Sequence, residues 1–214
     1  MTERFENLAP EKRMRILKAA YKEFAEKGFD QASTNAIVKE AGIGKGMLFY
    51  YFGNKKELYN YLINYALDIF SEQFLNKIDD TIMDILDRIV HISRLKMKFF
   101  MEHPELSKFF TAEMLRGEMD LSDELNEKLN RIVQLGYDKI YDHSTVYKNQ
   151  LRKGIDGKKV YRVVEWVIRG YQEDLLQTLK NKKMDDIDFD KYWDEFDEYV
   201  KLLKISFYQE EGFR

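Results

Sequence analysis

The chain has 214 residues, 44% hydrophobic and 34% charged, with a formal net charge of -3, two prolines and no cysteine. That composition implies a folded protein with a sizeable core and excludes disorder, disulfides, thiolate metal sites and cysteine nucleophiles. The opening stretch MTERFENLAPEKRMRIL lacks the apolar core of a signal peptide, and no later apolar run approaches the roughly 18 residues needed to cross a bilayer. A cytoplasmic protein without a membrane partner is the expectation.

Charge is unevenly placed. Residues 1–58 carry 11 Lys+Arg against 8 Asp+Glu, and residues 59–214 carry 24 against 30. The front of the chain can approach a polyanion that the remainder would repel.

From Pro10 to Lys27, the residues Ile16, Leu17, Ala20, Phe24 and Ala25 recur at helical spacing. Pro10 suits a first helical turn, and Gly28 suits a left-handed stop. Ser33 is an N-cap for a short second helix, TNAIVKEA, which Gly42 ends. Only Ile43 separates Gly42 from Gly44, where a third helix through KGMLFYYF begins. Two short helices across so tight a turn predict a helix-turn-helix, whose second helix is shaped for a major groove.

GNKKEL then breaks and restarts the chain, and Leu58, Leu62, Tyr65 and Ile69 line one face of the next helix. Further apolar periodicity predicts helices over Ile82–Met101, Glu105–Leu115, Asp123–Tyr141, Lys158–Lys180 and Asp188–Tyr208, with a polar loop over 143–157. No alternating strand pattern and no repeat interrupts them. An all-α fold follows, with residues 1–54 as a helix-turn-helix domain and residues 55–214 as a larger helical domain.

The segment EAGIGKGMLFYYF also has the glycine alternation of a phosphate-cradling loop. Such a loop follows a buried strand and needs Ser or Thr after its lysine. Here the preceding segment is helical and Gly46 follows Lys45, so the nucleotide reading fails. Gly42 instead supplies a left-handed turn, Gly44 lets the third helix begin close to a phosphate, and Gly46 clears bulk from the approach to a duplex. Leu48, Phe49 and Phe52 are expected to pack inward against Ile16, Phe24 and Ile37.

Residues 20–59, AYKEFAEKGFDQASTNAIVKEAGIGKGMLFYYFGNKKELY, resemble the DNA-binding region of TetR-type (tetracycline-repressor-like) transcriptional regulators. The resemblance implies a homodimer on a palindromic DNA operator, with Lys45, Gly46, Met47, Tyr50 and Tyr51 on the face of the third helix that meets DNA. It further implies that Ser33 and Thr34 touch phosphates and that Lys55 clamps the DNA backbone. Helix N-termini, hydroxyls, lysines and tyrosines are suited to those contacts by their own chemistry. Tyr50 and Tyr51, being adjacent, cannot both share the inward face, and both are expected to be exposed. Two departures stand out: Phe49 replaces a frequent tyrosine, and Met47 replaces a smaller residue.

A dimeric reader needs a fixed spacing of its heads at about 34–36 Å. Phe189, Trp193, Phe196, Val200, Leu203 and Phe207 follow 4-3-4-3-4 spacing, and Val160, Val164, Val167 and Tyr171 begin the same way beside Gly170. These two stripes are the expected dimer interface, the alternative being that they face the protein's own core. The family commonly encloses an inducer among its middle helices. Phe99, Phe100, Phe110, Met114, Tyr137, Tyr141, Trp166 and Tyr171, with Met101 and Phe109, are suited to lining such a site for a small apolar or aromatic molecule.

His91, His103 and His143 are too scattered to suggest a metal site, and no cofactor or catalytic constellation is expected. The function expected is a ligand-responsive transcriptional repressor and not an enzyme. The competing readings are a helical ligand-binding protein or enzyme that has lost DNA binding, and a helical adaptor.

Overall fold

The computed structural model describes residues 3–116, 121–141, 151–179 and 189–209. Every regular element among them is helical: α1 (Glu3–Glu6), α2 (Pro10–Gln31), α3 (Thr34–Ala41), α4 (Lys45–Phe52), α5 (Lys55–Gln73), α6 (Ile85–Glu102), α7 (Pro104–Arg116), α8 (Asp123–Tyr141), α9 (Gly157–Leu179) and α10 (Phe189–Phe207). A short 3₁₀ turn spans Leu75–Lys77.

The expected punctuation is present. Pro10 opens α2, and Gly28 interrupts it at φ 71° and ψ 174°, a region open essentially to glycine. Asn54 caps α5 by accepting from the Glu57 amide at 2.9 Å. The α1 turn and the 3₁₀ turn were not anticipated, because four residues are too few to show a period.

Packing divides the chain into two units. The first comprises residues 1–78 and 95–137, the second residues 79–94 and 138–214. Within the first unit, α5 shares the core of the helices before it. Tyr59 of α5 packs its ring against Phe24, Phe29 and Phe109 at 5.2, 5.1 and 5.9 Å. Tyr21 donates to the carbonyl of Leu62 at 2.9 Å, and burial holds its phenol well above the usual range.

In the same unit Glu113, only 3% exposed, accepts from Tyr59 and pairs with Arg116. Arg116 in turn donates to the carbonyls of Phe24 and Ala25. These carbonyls lie just before the Gly28 break, where helical partners are lost. The α7 helix thus satisfies the end of α2, and a Cβ at Gly28 would meet Nε of Arg116 at 3.2 Å.

The second unit is built around Leu86, Leu151, Val160, Val164, Ile168, Phe196, Val200, Leu203 and Tyr208. Val167, Tyr171, Trp193 and Phe207 pack against that cluster from its margin. The apolar stripes of α9 and α10 expected to form a dimer seam therefore pack within their own chain. Seam spacing reports that a helix is covered along one stripe, and not whose helix covers it. Tyr171 is tied down further by donating to the carbonyl of Tyr192 at 2.7 Å. Burial, then Glu195, push its phenol up to about 12. Phe189 is placed on α10, but its side chain lies outside the described set.

Candidate nucleic-acid interface

The turn between α3 and α4 is fixed by its own backbone. The Ile43 amide donates to Val38 at 3.0 Å and the Gly42 amide to Lys39 at 3.3 Å, with Gly42 at φ 64°. This paired closure of a helix end needs a left-handed residue, which glycine supplies without steric cost. Gly44 then caps α4 with extended backbone. A Cβ at Gly44 or Gly46 would meet nothing within 4 Å, so the start of α4 is open to solvent.

On α4 the inward face consists of Leu48, Tyr51 and Phe52, all 5% exposed or less. Phe49 and Met47 are half-buried, and Lys45 is exposed with its ammonium 6.0 Å from the Phe49 ring. Tyr50 is 55% exposed. Four of the expected contact residues, Gly44, Lys45, Gly46 and Tyr50, share this exposed margin.

Tyr51 departs from expectation. It is 5% exposed, and its ring lies 5.8 Å from Phe5 of α1. Phe5 is fully buried and also meets Phe52 at 4.7 Å and Tyr61 at 5.4 Å. The α1 turn therefore covers a second flank of α4, the one on which Tyr51 stands. Neighbours on a helix do point apart, but two flanks of one helix can both be covered.

Ser33 caps α3, its hydroxyl accepting from the Ala36 amide at 3.4 Å while its own amide donates to Glu23 at 2.8 Å. Ser33 is exposed and Thr34 half-buried, so both hydroxyl residues sit at the open start of α3. Lys55 is placed otherwise than expected. Its ammonium donates to the carbonyls of Phe29, Asp30 and Ala32 at 2.8, 3.2 and 3.2 Å and lies 4.8 Å from the Phe29 ring. Its three protons are thus committed to the C-terminal end of α2, where the helix dipole also favours a cation. Lys55 is a structural cap in place of the expected DNA clamp.

A substitution checks that assignment. Lys55→Met is expected to lower unfolding stability by about 1.5–3 kcal/mol, the range for hydrogen bonds from a charged group. The salt dependence of any DNA binding should stay the same. A reduced salt slope at unchanged stability would return Lys55 to the interface.

The residues expected around an inducer are placed as follows. Phe99 is 3% exposed and belongs to a cluster with Phe70, Phe74 and His103 at 5.5, 6.3 and 5.0 Å, which is ordinary core. Phe100 is 36% exposed and Phe110 half-buried. Phe99, Phe100 and Phe110 lie in the first packing unit, Trp166 and Tyr171 in the second. Trp166 is 57% exposed with the Arg162 guanidinium 5.7 Å from its ring, so it is not enclosed. The side chains of Met114, Tyr137 and Tyr141 lie outside the described set. Among the described residues no group of three or more His, Asp or Glu is placed to hold a metal. None of the described helices is long and apolar enough to cross a membrane.

An N-capped helix, a glycine turn and a second helix with an open start define a helix-turn-helix protein. Comparison with known proteins carries this further. Residues 16–62 match the family model described as bacterial regulatory proteins, tetR family. The HTH-type transcriptional regulator RutR of Escherichia coli is 33% identical over 122 residues, 57% of this chain and 57% of that one. An HTH-type transcriptional regulator of Staphylococcus aureus is 44% identical over 72 residues, 34% of this chain and 39% of that one. The matched region thus spans little more than half the length of the first relative and less than half of the second.

Over nearly the full chain, the fold is that of a TetR family transcriptional regulator from Chloroflexus aurantiacus (TM-score 0.65, 20% identity, covering 97% of this chain and 98% of that one). The fold is also similar to that of the ketosteroid transcriptional regulator KstR2 of Mycobacterium tuberculosis (TM-score 0.63, 18% identity, covering 95% of this chain and 98% of that one). Residues 16–62 thus carry a tetR-type helix-turn-helix, and over nearly its full length the chain has the fold of those solved TetR-family structures. These relatives are named as transcriptional regulators.

Proposed function

We propose that the protein is a cytoplasmic, homodimeric, ligand-responsive transcriptional repressor that reads a palindromic operator through α4. The observation that carries the proposal is the exposed margin of α4, where Lys45 stands at a helix start left open by Gly44 and Gly46 and Tyr50 is exposed further along the same helix. The amides of such a start bind phosphate oxygens, and an exposed tyrosine on the same helix can reach base edges or thymine methyls. The proposed DNA contacts are Ser33, Thr34, Gly44, Lys45, Gly46, Met47 and Tyr50. All of them lie within residues 1–54, the segment we propose as the reading head.

Dimerisation through α9 and α10 must use the side of those helices left free by their own packing. Trp166, Tyr199, Leu202 and Ile205 are 57%, 42%, 59% and 48% exposed, and Gly170 leaves open space beside Trp166. These residues replace the buried stripes as the proposed interface. Trp166→Glu combined with Leu202→Glu is expected to halve the mass observed in analytical ultracentrifugation and to cost operator affinity in parallel. A double variant that keeps the wild-type mass would place the interface elsewhere.

A small apolar or aromatic molecule is the proposed inducer, and Phe100 and Phe110 are the described residues we propose for it. Release of DNA requires only that ligand and operator favour different conformations, and the coupling is then reciprocal. Gel-shift titration against the DNA flanking the protein's own gene tests the central assignment. A shift that weakens steeply with salt supports it, and no shift at any salt supports a helical binding protein without DNA function.

A further inference from the structure

The α1 turn carries a residue that the helix-turn-helix pattern does not include. The guanidinium carbon of Arg4 lies 4.7 Å from the centre of the Tyr50 ring, within the distance at which a cation and an aromatic face attract. The contact is fixed from below. Phe5, next in sequence, is fully buried between Tyr51, Phe52 and Tyr61. Arg13 donates to the carbonyl of Glu6 at 3.0 Å, tying the far end of α1 to α2. The only acidic side chains on α1 itself are Glu3 and Glu6.

We propose that Arg4 is a positioning residue for Tyr50 and is itself a phosphate contact of the reading head. The proposal rests on the reading of α4 as the helix that meets DNA. A tyrosine as exposed as Tyr50 samples several rotamers in the free protein, and fixing one on binding costs conformational entropy. A guanidinium held over its ring removes part of that cost beforehand. A guanidinium over a ring can keep N–H groups directed outward in its plane, the geometry that phosphate oxygens accept. One side chain can therefore hold the reading tyrosine and neutralise a phosphate beside it.

The test uses the full-length protein and the duplex that the wild type binds best, with affinity measured across a range of salt concentrations. Arg4→Ala should weaken binding about 3- to 10-fold, leave thermal melting unchanged and reduce the slope of log affinity against log salt by about 0.9, one phosphate's share. Arg4→Lys should keep the wild-type slope, because the charge remains, yet recover only part of the affinity. In a Tyr50→Leu background, Arg4→Ala should cost less than it does in the wild type, since no ring remains to be held.

Wild-type affinity and slope in Arg4→Ala would overturn the proposal, and equal losses in the two backgrounds would overturn the positioning role. If Arg4→Ala melts early, Arg4→Gln at wild-type stability gives the same reading. A wild type that binds no duplex at all is a different result, because it removes the DNA-reading function of α4 and takes this proposal with it.

Discussion

Replacing Tyr50 with Ala is expected to weaken binding to the preferred duplex by about 1–3 kcal/mol, the range for a lost base-reading contact, and to leave unfolding stability unchanged. Replacing its neighbour Tyr51 is expected to do the reverse. Tyr51→Ala should cost about 3 kcal/mol of stability, toward the lower end for a large aromatic side chain removed from a core, and should affect DNA binding only through the fraction unfolded. The contrast follows from exposures of 55% and 5% at adjacent positions. Tyr51 fills the space between α4 and α1, where Phe5 and Phe52 would be left around a cavity, whereas nothing in the core changes when the Tyr50 ring is removed. Denaturant titration and fluorescence anisotropy on the same preparations separate the two effects. A Tyr50→Ala variant with intact affinity, or a stable Tyr51→Ala variant with lost affinity, would reverse the assignment of the two side chains.

The second large effect lies in the other packing unit. Arg88 is 1% exposed, a costly place for a cation unless every donor is matched. Its Nε donates to the Lys139 carbonyl at 3.0 Å, one terminal nitrogen to the carbonyls of Asp79 and Ile82 at 3.4 and 3.1 Å, and the other to Asp80 at 3.0 Å and again to Lys139. The residue therefore closes the end of α8 and the turn before α6 together. Arg88→Leu should destabilise the protein by about 3–5 kcal/mol, because three carbonyls lose a charged donor in a site water does not reach. Asp80→Asn should cost far less, since Asp80 is largely exposed and its ion pairs are screened.

The pH dependence follows the same geometry. Lys139, hydrogen-bonded to Asp80 at 2.8 Å, and then Arg88 hold the Asp80 carboxyl below the ordinary carboxylate range. A group whose pKa is depressed by folding stabilises the fold above its unfolded value, about 4, and that contribution is lost as pH falls through the lower folded value. Denaturant midpoints for the wild type and Asp80→Asn should therefore converge on acidification below about pH 4. Parallel curves would show that the Asp80 contacts are not maintained in solution.

Much of the architecture was legible because it is written in local punctuation. Pro10, Gly28, Ser33, Gly42 and Asn54 act on the backbone within a few residues of themselves, and the helices begin and end near the positions they mark. The long helices follow from apolar periodicity, and the α8 boundaries, Asp123–Tyr141, coincide with the expected ones.

What was not legible depends on partners remote in sequence. A single Phe5 in a charged stretch gives no period, yet it buries Tyr51. Lys55 looks like any exposed lysine after a helix until the end of α2 is brought beside it. The stripes on α9 and α10 were recognised as seams, but a heptad-like spacing does not distinguish packing against the same chain from packing against a second copy. The residues proposed for a partner are instead the exposed apolar ones that fall off the stripe, Trp166, Tyr199, Leu202 and Ile205. Their signal was present as large apolar residues at positions the stripe does not use.

The most direct measurement is selection from a random pool of duplex DNA by the full-length protein, followed by footprinting of the enriched sequences. A two-fold symmetric consensus is expected, with half-sites separated by about one duplex turn or a whole multiple of it. Each half should be protected in the major groove, and enrichment should disappear with Tyr50→Ala. No enrichment over the starting pool, or an enriched sequence bound equally well by Tyr50→Ala, would contradict it.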